Sequence, residues 1–292
     1  MSFWYALIAA ALGGAVPVLA KFGLEVFPSF TLNSIRFFFA SLCLIPFVFG
    51  KLSFDKNLVK KLILISLVGS ANPILLFIAL NVTTASVTPL IYASVPLMAA
   101  IFATSKGKKL STHQWLGVSI GFLGVATVVL LPVLQKNSLG SLGGNLLIMI
   151  AAVSFFAYSE LSKKIQTSHT ISPLVLSFFL AFSSLILSLP LGILSYINEG
   201  DPSKITSFHI LASVFNGVLG TALFYVVYQK SLQISSTLSA TLFVFLQPIF
   251  TSLFALIILQ EQITPLFMVG GILAVLGAKL ASTDPKEKKK LK

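Results

Sequence analysis

The sequence predicts an all-α integral membrane protein of about ten transmembrane helices, arranged as two inverted five-helix repeats around a central cavity. Three observations carry that expectation. Of 292 residues, 56% are hydrophobic and only 10% charged, with a mean hydropathy of +0.98, whereas a soluble domain is about a quarter charged. Apolar runs of about 20 residues, enough to cross roughly 30 Å of hydrocarbon, follow one another along the chain. The second half of the chain also repeats the first.

In order, the spans are expected at 3–21, 30–49, 62–80, 86–104, 114–133, 144–162, 172–195, 209–228, 236–258 and 265–282. The first, MSFWYALIAAALGGAVPVLAK, has no basic residues ahead of its apolar run and is followed by more spans, so it reads as a helix and not a signal peptide. Connections such as NVTTA and QISS are short, which makes sequence neighbours antiparallel neighbours in space. Glycine and proline inside several spans are compatible with helices, because bilayer bundles tolerate both. Cys43 is the only cysteine, so there is no intrachain disulfide and no zinc constellation.

Lysines set the orientation. With the N-terminus inside, the clusters around Lys51–Lys61, Lys106–Lys109, Lys163–Lys164, Lys230 and the C-terminal end all fall on the cytoplasmic side. Only Lys21, Lys136 and Lys204 fall opposite. Both termini are therefore expected in the cytoplasm of a bacterial inner (plasma) membrane, with 284–292 a basic cytoplasmic tail. The net charge of +12 is spread as topology signals between apolar runs, which excludes a nucleic-acid surface built on a soluble core.

The halves, expected at 1–137 and 138–283, align in order. LNVTTASVTPLIYASVPLMAAIFA lies over LQISSTLSATLFVFLQPIFTSLFA, pairing Pro96 with Pro248. LSTHQWLGVSIGFLG lies over ITPLFMVGGILAVLG, pairing Gly117 with Gly270 and Gly124 with Gly277. Five spans per half make the second enter from the opposite side. Lys108 and Glu261 correspond, one on the inside and one on the outside. Inverted repeats are the architecture of secondary transporters, whose sites lie near the midplane among interrupted helices.

Helix-loosening and polar residues converge on that layer. Gly13, Gly14, Pro73, Pro96 and Pro248 are expected at kinks or gates. Asn72, Tyr92, Tyr158, Asn216, Tyr225 and Gln247 are the cavity candidates, since an unpaired amide is costly in lipid and cheap in a watery cavity. The blander alternative is packing, with prolines as kinks and amides as interhelical glue. Gln247 is expected to face the cavity, so that its removal strands no buried partner. Tyr228, and less clearly Tyr225, could instead sit in a headgroup belt. Arg36 and Glu160 are the intramembrane charges. Arg36 could hold a carboxylate or serve structure and gating, Glu160 could carry a proton or anchor at the interface, and His113, His169 and His209 fall at span ends. Gly117, Gly121 and Gly124 permit close helix approach and could also serve self-association.

The sequence resembles an EamA-type member of the drug/metabolite transporter superfamily. The resemblance runs essentially full length and rests on LAK at 19–21, NSIRFFFASL opening helix two, GTALFYVVYQKSLQISSTLSATL, and LQEQITPLFMVGG at 259–271. It implies ten helices in two five-helix halves, with helices five and ten at the periphery. The chain departs from the family at the end of the fourth helix, where the usual acid survives as Glu261 but is replaced by Lys108 in the first half.

The expected function is a secondary transporter moving a small metabolite, amino acid-like or otherwise amphipathic, by alternating access. A sugar-phosphate or nucleotide-sugar exchanger is the runner-up, thinly provided by Arg36 with Lys21 as its only cations. A membrane-embedded enzyme would need paired intramembrane carboxylates, clustered histidines or HExxH, and the sequence offers none. An ATP-driven pump would need GxxxxGK[ST], also missing. No catalytic residue, metal site or cofactor is expected. The expected partners are a small-molecule substrate and the lipid bilayer, not nucleic acid, with a monomer as the expected state and a homodimer as the alternative.

Overall fold

The computed structural model describes residues 2–48, 55–80, 82–83, 88–135, 141–169, 171–259 and 265–282. Every regular element among them is helical. The helices are α1 (Ser2–Leu24), α2 (Ser29–Val48), α3 (Lys56–Leu80), α4 (Thr88–Tyr92), α5 (Ser94–Ser105), α6 (Thr112–Gln135), α7 (Leu142–His169), α8 (Pro173–Glu199), α9 (Ser207–Gly217), α10 (Phe224–Ile234), α11 (Thr237–Thr241), α12 (Phe243–Leu259) and α13 (Pro265–Ser282). A π-helical segment, Val218–Leu223, joins α9 to α10. Seven of these stretches are long and apolar enough to cross a membrane, and α4–α5, α6 and α13 complete the ten expected spans. Glu261 and the basic tail lie outside the described residues.

Several helices outrun their apolar cores. α3 begins at Lys56, with Lys56, Lys60 and Lys61 exposed, and α7 continues to His169. An apolar run marks only the part of a helix in hydrocarbon, and the backbone ladder continues to where charged heads are solvated. Outside the core, Asp201 caps the turn between α8 and α9. Hydrogen bonds from Ser203 hold its carboxyl below the usual carboxylate range, and Lys204 lies 3.1 Å away. His209 closes a capping box with Thr206 at the start of α9, a span end as expected.

Spans four and nine are interrupted in the same way. Ala93 separates α4 from α5 with φ −62° and ψ −14°, and Leu242 separates α11 from α12 with φ −62° and ψ −16°. Such ψ values belong to a 3₁₀-like turn and not to a continuing α-helix. Pro96 falls in the first turn of α5, where a missing N–H costs little. Pro248 does not mark its break. It lies inside α12, and the chain has already turned at Leu242. In this half the interruption is set by the short α11, capped by the Ser236 side chain on the Ser239 N–H.

Packing is nearly unchanged when the halves are exchanged. The matching fifth spans α6 and α13 pack together, as do the matching second spans α2 and α8. α3 on α7 is mirrored by α10 on α1, α1 on α12 by α7 on α4 and α5, and α2 on α9 by α8 on α3. The direction of the exchange can be read from the glycines. Gly117 abuts the backbone of Gly277 and Ala281, while Gly124 abuts that of Gly270 and Ala274. Numbers rise along α6 as they fall along α13, so these helices are antiparallel. Between α2 and α8 the order is the same. Thr31 donates to the Gly192 carbonyl at 2.8 Å and Ser34 to that of Ser188 at 3.0 Å. Matching spans that run antiparallel make the second half inverted relative to the first. The seam also uses the glycine face of α6 within the chain, so that face is covered and not offered to a second copy.

Candidate functional site

Three polar clusters stand among the helices, two of them where a span is interrupted. In the first half, Asn72 on α3 is buried and its Nδ2 donates to the Tyr92 hydroxyl at 2.5 Å and to the Ala151 carbonyl at 2.9 Å. This ties α3 and α7 to the residue just before the Ala93 turn. Pro73, next along α3, is also buried.

The second cluster surrounds the π-segment. Arg36 on α2 is half-buried, and its Nε donates to Thr221 Oγ1 at 2.5 Å. The Thr221 hydroxyl in turn donates to the Asn216 carbonyl at 3.1 Å, five residues back along the π-turn. Asn216 is 1% exposed, yet its Oδ1 has no hydrogen-bond partner among the described residues. Tyr225, 5% exposed, makes no hydrogen bond among the described residues and lies within electrostatic range of Arg36. Tyr92 is in range of both, so the first two clusters adjoin. π-turns are rare and are frequently found at functional positions.

The third cluster lies between α7 and α10. Gln229 Nε2 donates to the Tyr158 hydroxyl at 2.7 Å and to Ser162 at 3.2 Å, and Gln166 Nε2 donates to Gln229 Oε1 at 2.6 Å. Ser159 and the Tyr228 hydroxyl are 2.5 Å apart. Tyr228 is fully buried and stacks on Phe155 and Phe224. The headgroup-belt role for Tyr228 is therefore wrong, because its hydroxyl is satisfied inside the protein. Tyr158 is likewise pinned and sealed by this network.

Gln247 departs from expectation. It is half-buried, and its Nε2 donates to the Gly13 carbonyl at 3.2 Å. Gly13 lies four residues before Pro17, which has no N–H to bond that carbonyl. The amide therefore satisfies an acceptor that the proline leaves open, and removing it would strand a buried partner. Gly14 packs without room for a Cβ against Phe250, Thr251 and the Gln247 carbonyl. Gly14 thus marks a close crossing of α1 over α12, while Gly13 faces the Phe224 ring of α10 as well as Gln247.

Glu160 is half-buried on α7, in electrostatic range of Lys163 one turn on. A cavity of about 750 Å³ opens between α2, α8 and α9, lined mainly by apolar residues such as Phe27, Ile35, Phe38, Leu189 and Ile193. None of the candidate residues lines it. The described residues hold no group of three or more His, Cys, Asp or Glu suited to a metal.

Sequence reasoning missed Thr221, Gln166, Gln229 and the role of Pro17. The last was legible, since a proline four residues after Gly13 announces a free carbonyl. The amides of Gln166 and Gln229 lay just past the expected ends of spans six and eight.

Comparison with known proteins agrees with this architecture. An uncharacterized transporter of Archaeoglobus fulgidus is 24% identical over 269 residues, covering 91% of each chain. The uncharacterized transporter YoaV of Bacillus subtilis is 24% identical over 269 residues, covering 89% of each. A crystal structure with 18% sequence identity superposes with a TM-score of 0.77 over 100% of this chain and 98% of its own. The model of the EamA-like transporter family matches twice, at residues 1–130 and 142–283. With both halves of its duplicated helical fold matched, the chain belongs to the EamA-like transporter family, as a multi-pass membrane protein.

Proposed function

We propose that this protein is a secondary transporter that moves a small metabolite, amino acid-like or otherwise amphipathic, by alternating access. The observation that carries the reading is the coincidence of polar side chains with helix interruptions. Tyr92 precedes the Ala93 turn, and Asn216, Thr221 and Tyr225 flank or occupy the π-segment. Interrupted helices leave backbone groups to be satisfied by neighbours or by solute, and they are where inverted-repeat transporters bind. Two halves of matched packing give the chain two related arrangements that can exchange, each opening the centre to one side. The lysine asymmetry supports cytoplasmic termini in a bacterial plasma membrane, with 1–137 and 138–283 as the two moving units.

Single cysteines at Tyr92, Asn216 and Tyr225, in a Cys43→Ser background, test this. A small hydrophilic thiol reagent should modify them in membranes, from either side but at different rates as solute is added. If all three stay inert while a cysteine at exposed Lys106 reacts, the centre is a packed core and the transport reading falls.

A further inference from the structure

We propose that the transported solute carries a single carboxylate and that Arg36 is the residue that holds it. The inference rests on the transport reading above and names its substrate class. Arg36 is the cation of the central clusters, and no described carboxylate lies within ion-pair distance of it. A guanidinium in the membrane interior without an acidic partner is costly. It is commonly retained where a ligand completes the pair. Here the described residues hydrogen-bond only one edge, and the guanidinium lies over the Phe37 ring, its Cζ 5.3 Å from the ring centroid. Thr221 takes Nε and leaves the two terminal nitrogens, whose parallel N–H groups match the two oxygens of a carboxylate.

The surroundings favour a carboxylate over other anions. Tyr225 and Tyr92 lie within electrostatic range of the guanidinium. The Tyr225 hydroxyl makes no hydrogen bond among the described residues and can donate to the same anion. Both tyrosines are neutral phenols and not cations, so a dianionic phosphate would meet the one guanidinium and be left half-neutralised. Acceptors are also left over. The Asn216 Oδ1 is buried beside the same turn with no hydrogen-bond partner among the described residues, and it can take an N–H from the solute's ammonium or amide. A fork and a hydroxyl for an anion, next to an orphaned acceptor for an N–H, suit a zwitterion better than a bare acid.

Thr221 gives the site its geometry. With Nε engaged, the guanidinium plane is fixed relative to the π-segment, and α9 and α10 are drawn to α2 by the same bond. A carboxylate on the free edge would therefore act on the interrupted span directly.

The experiment uses purified full-length protein in detergent, with thermal stability and equilibrium binding read against matched probes. The probes are the common L-amino acids, their carboxamides, the corresponding amines, simple monocarboxylates, sugar phosphates and nucleosides. At least one amino acid should stabilise the protein, and its carboxamide and amine should bind about tenfold to a hundredfold more weakly, as expected on losing charge-assisted hydrogen bonds. Arg36→Lys, which keeps the charge but loses the fork, should weaken the acid and leave the carboxamide unchanged. Thr221→Val should weaken the acid less than Arg36→Lys does. Preference for a simple monocarboxylate over every amino acid would keep Arg36 as anchor and remove the zwitterion. Equal binding of acid and carboxamide by the wild type overturns the inference, and that comparison does not depend on any variant folding. Binding of only nucleosides or sugar phosphates overturns it too while the transport reading stands. If no probe of any class binds, both fall.

Discussion

Pro17 offers no N–H to the Gly13 carbonyl, and the Gln247 amide reaches that oxygen from the other half of the chain, 3.2 Å away. Residues that look ordinary in their own helices thus become a joint between halves. Gln247→Leu should leave Gly13 with an unsatisfied buried acceptor and destabilise the protein by about 1–3 kcal/mol. The cost should shrink to below about 1 kcal/mol in a Pro17→Ala background, because alanine restores the backbone donor. Unfolding of the two single variants and the double variant measures the coupling, and additive costs would show that Gln247 acts elsewhere.

Among the elements, α6 and α13 pack backbone against backbone, and glycine is the reason. At Gly117 and Gly124 a Cβ would press on backbone of the opposite helix, which cannot rotate away as a side chain can. Gly117→Ala should therefore cost about 1–3 kcal/mol through overpacking. Gly143, near the start of α7, would place a Cβ in open space, with nothing within 4 Å of it. There, Gly143→Ala should be neutral or stabilise by about 0.4–1 kcal/mol, through the unfolded chain. Thermal unfolding of the pair separates close approach from helix propensity, since propensity alone would favour alanine at both.

For the whole molecule, five spans per half and antiparallel matching spans require the two ends of the chain to share a side. Reporter fusions at residue 1 and residue 292 should both read cytoplasmic, the side chosen by the lysine clusters. Opposite readings would contradict the even number of spans. Readings that are both external would leave the fold intact and overturn the lysine argument.

Composition and the succession of apolar runs determined the class, the number of spans and the duplication, because lipid permits few structures and a repeated pattern survives as spacing even where identity is weak. Polar residues in those runs were also conspicuous, and two of them, Asn72 and Tyr92, are hydrogen-bonded to each other. The partners were decided by tertiary structure. That Arg36 finds Thr221, that Gln247 answers Pro17 and that Tyr228 is sealed against Ser159 all join residues far apart in the chain. Hydropathy measures what one segment prefers as a solvent, whereas a hydrogen bond is fixed by which atom of another helix stands within about 3 Å. The position of the break in span nine was hidden for a similar reason. A proline removes one backbone bond, but where a helix turns depends on which neighbouring bonds and packing surfaces yield most easily.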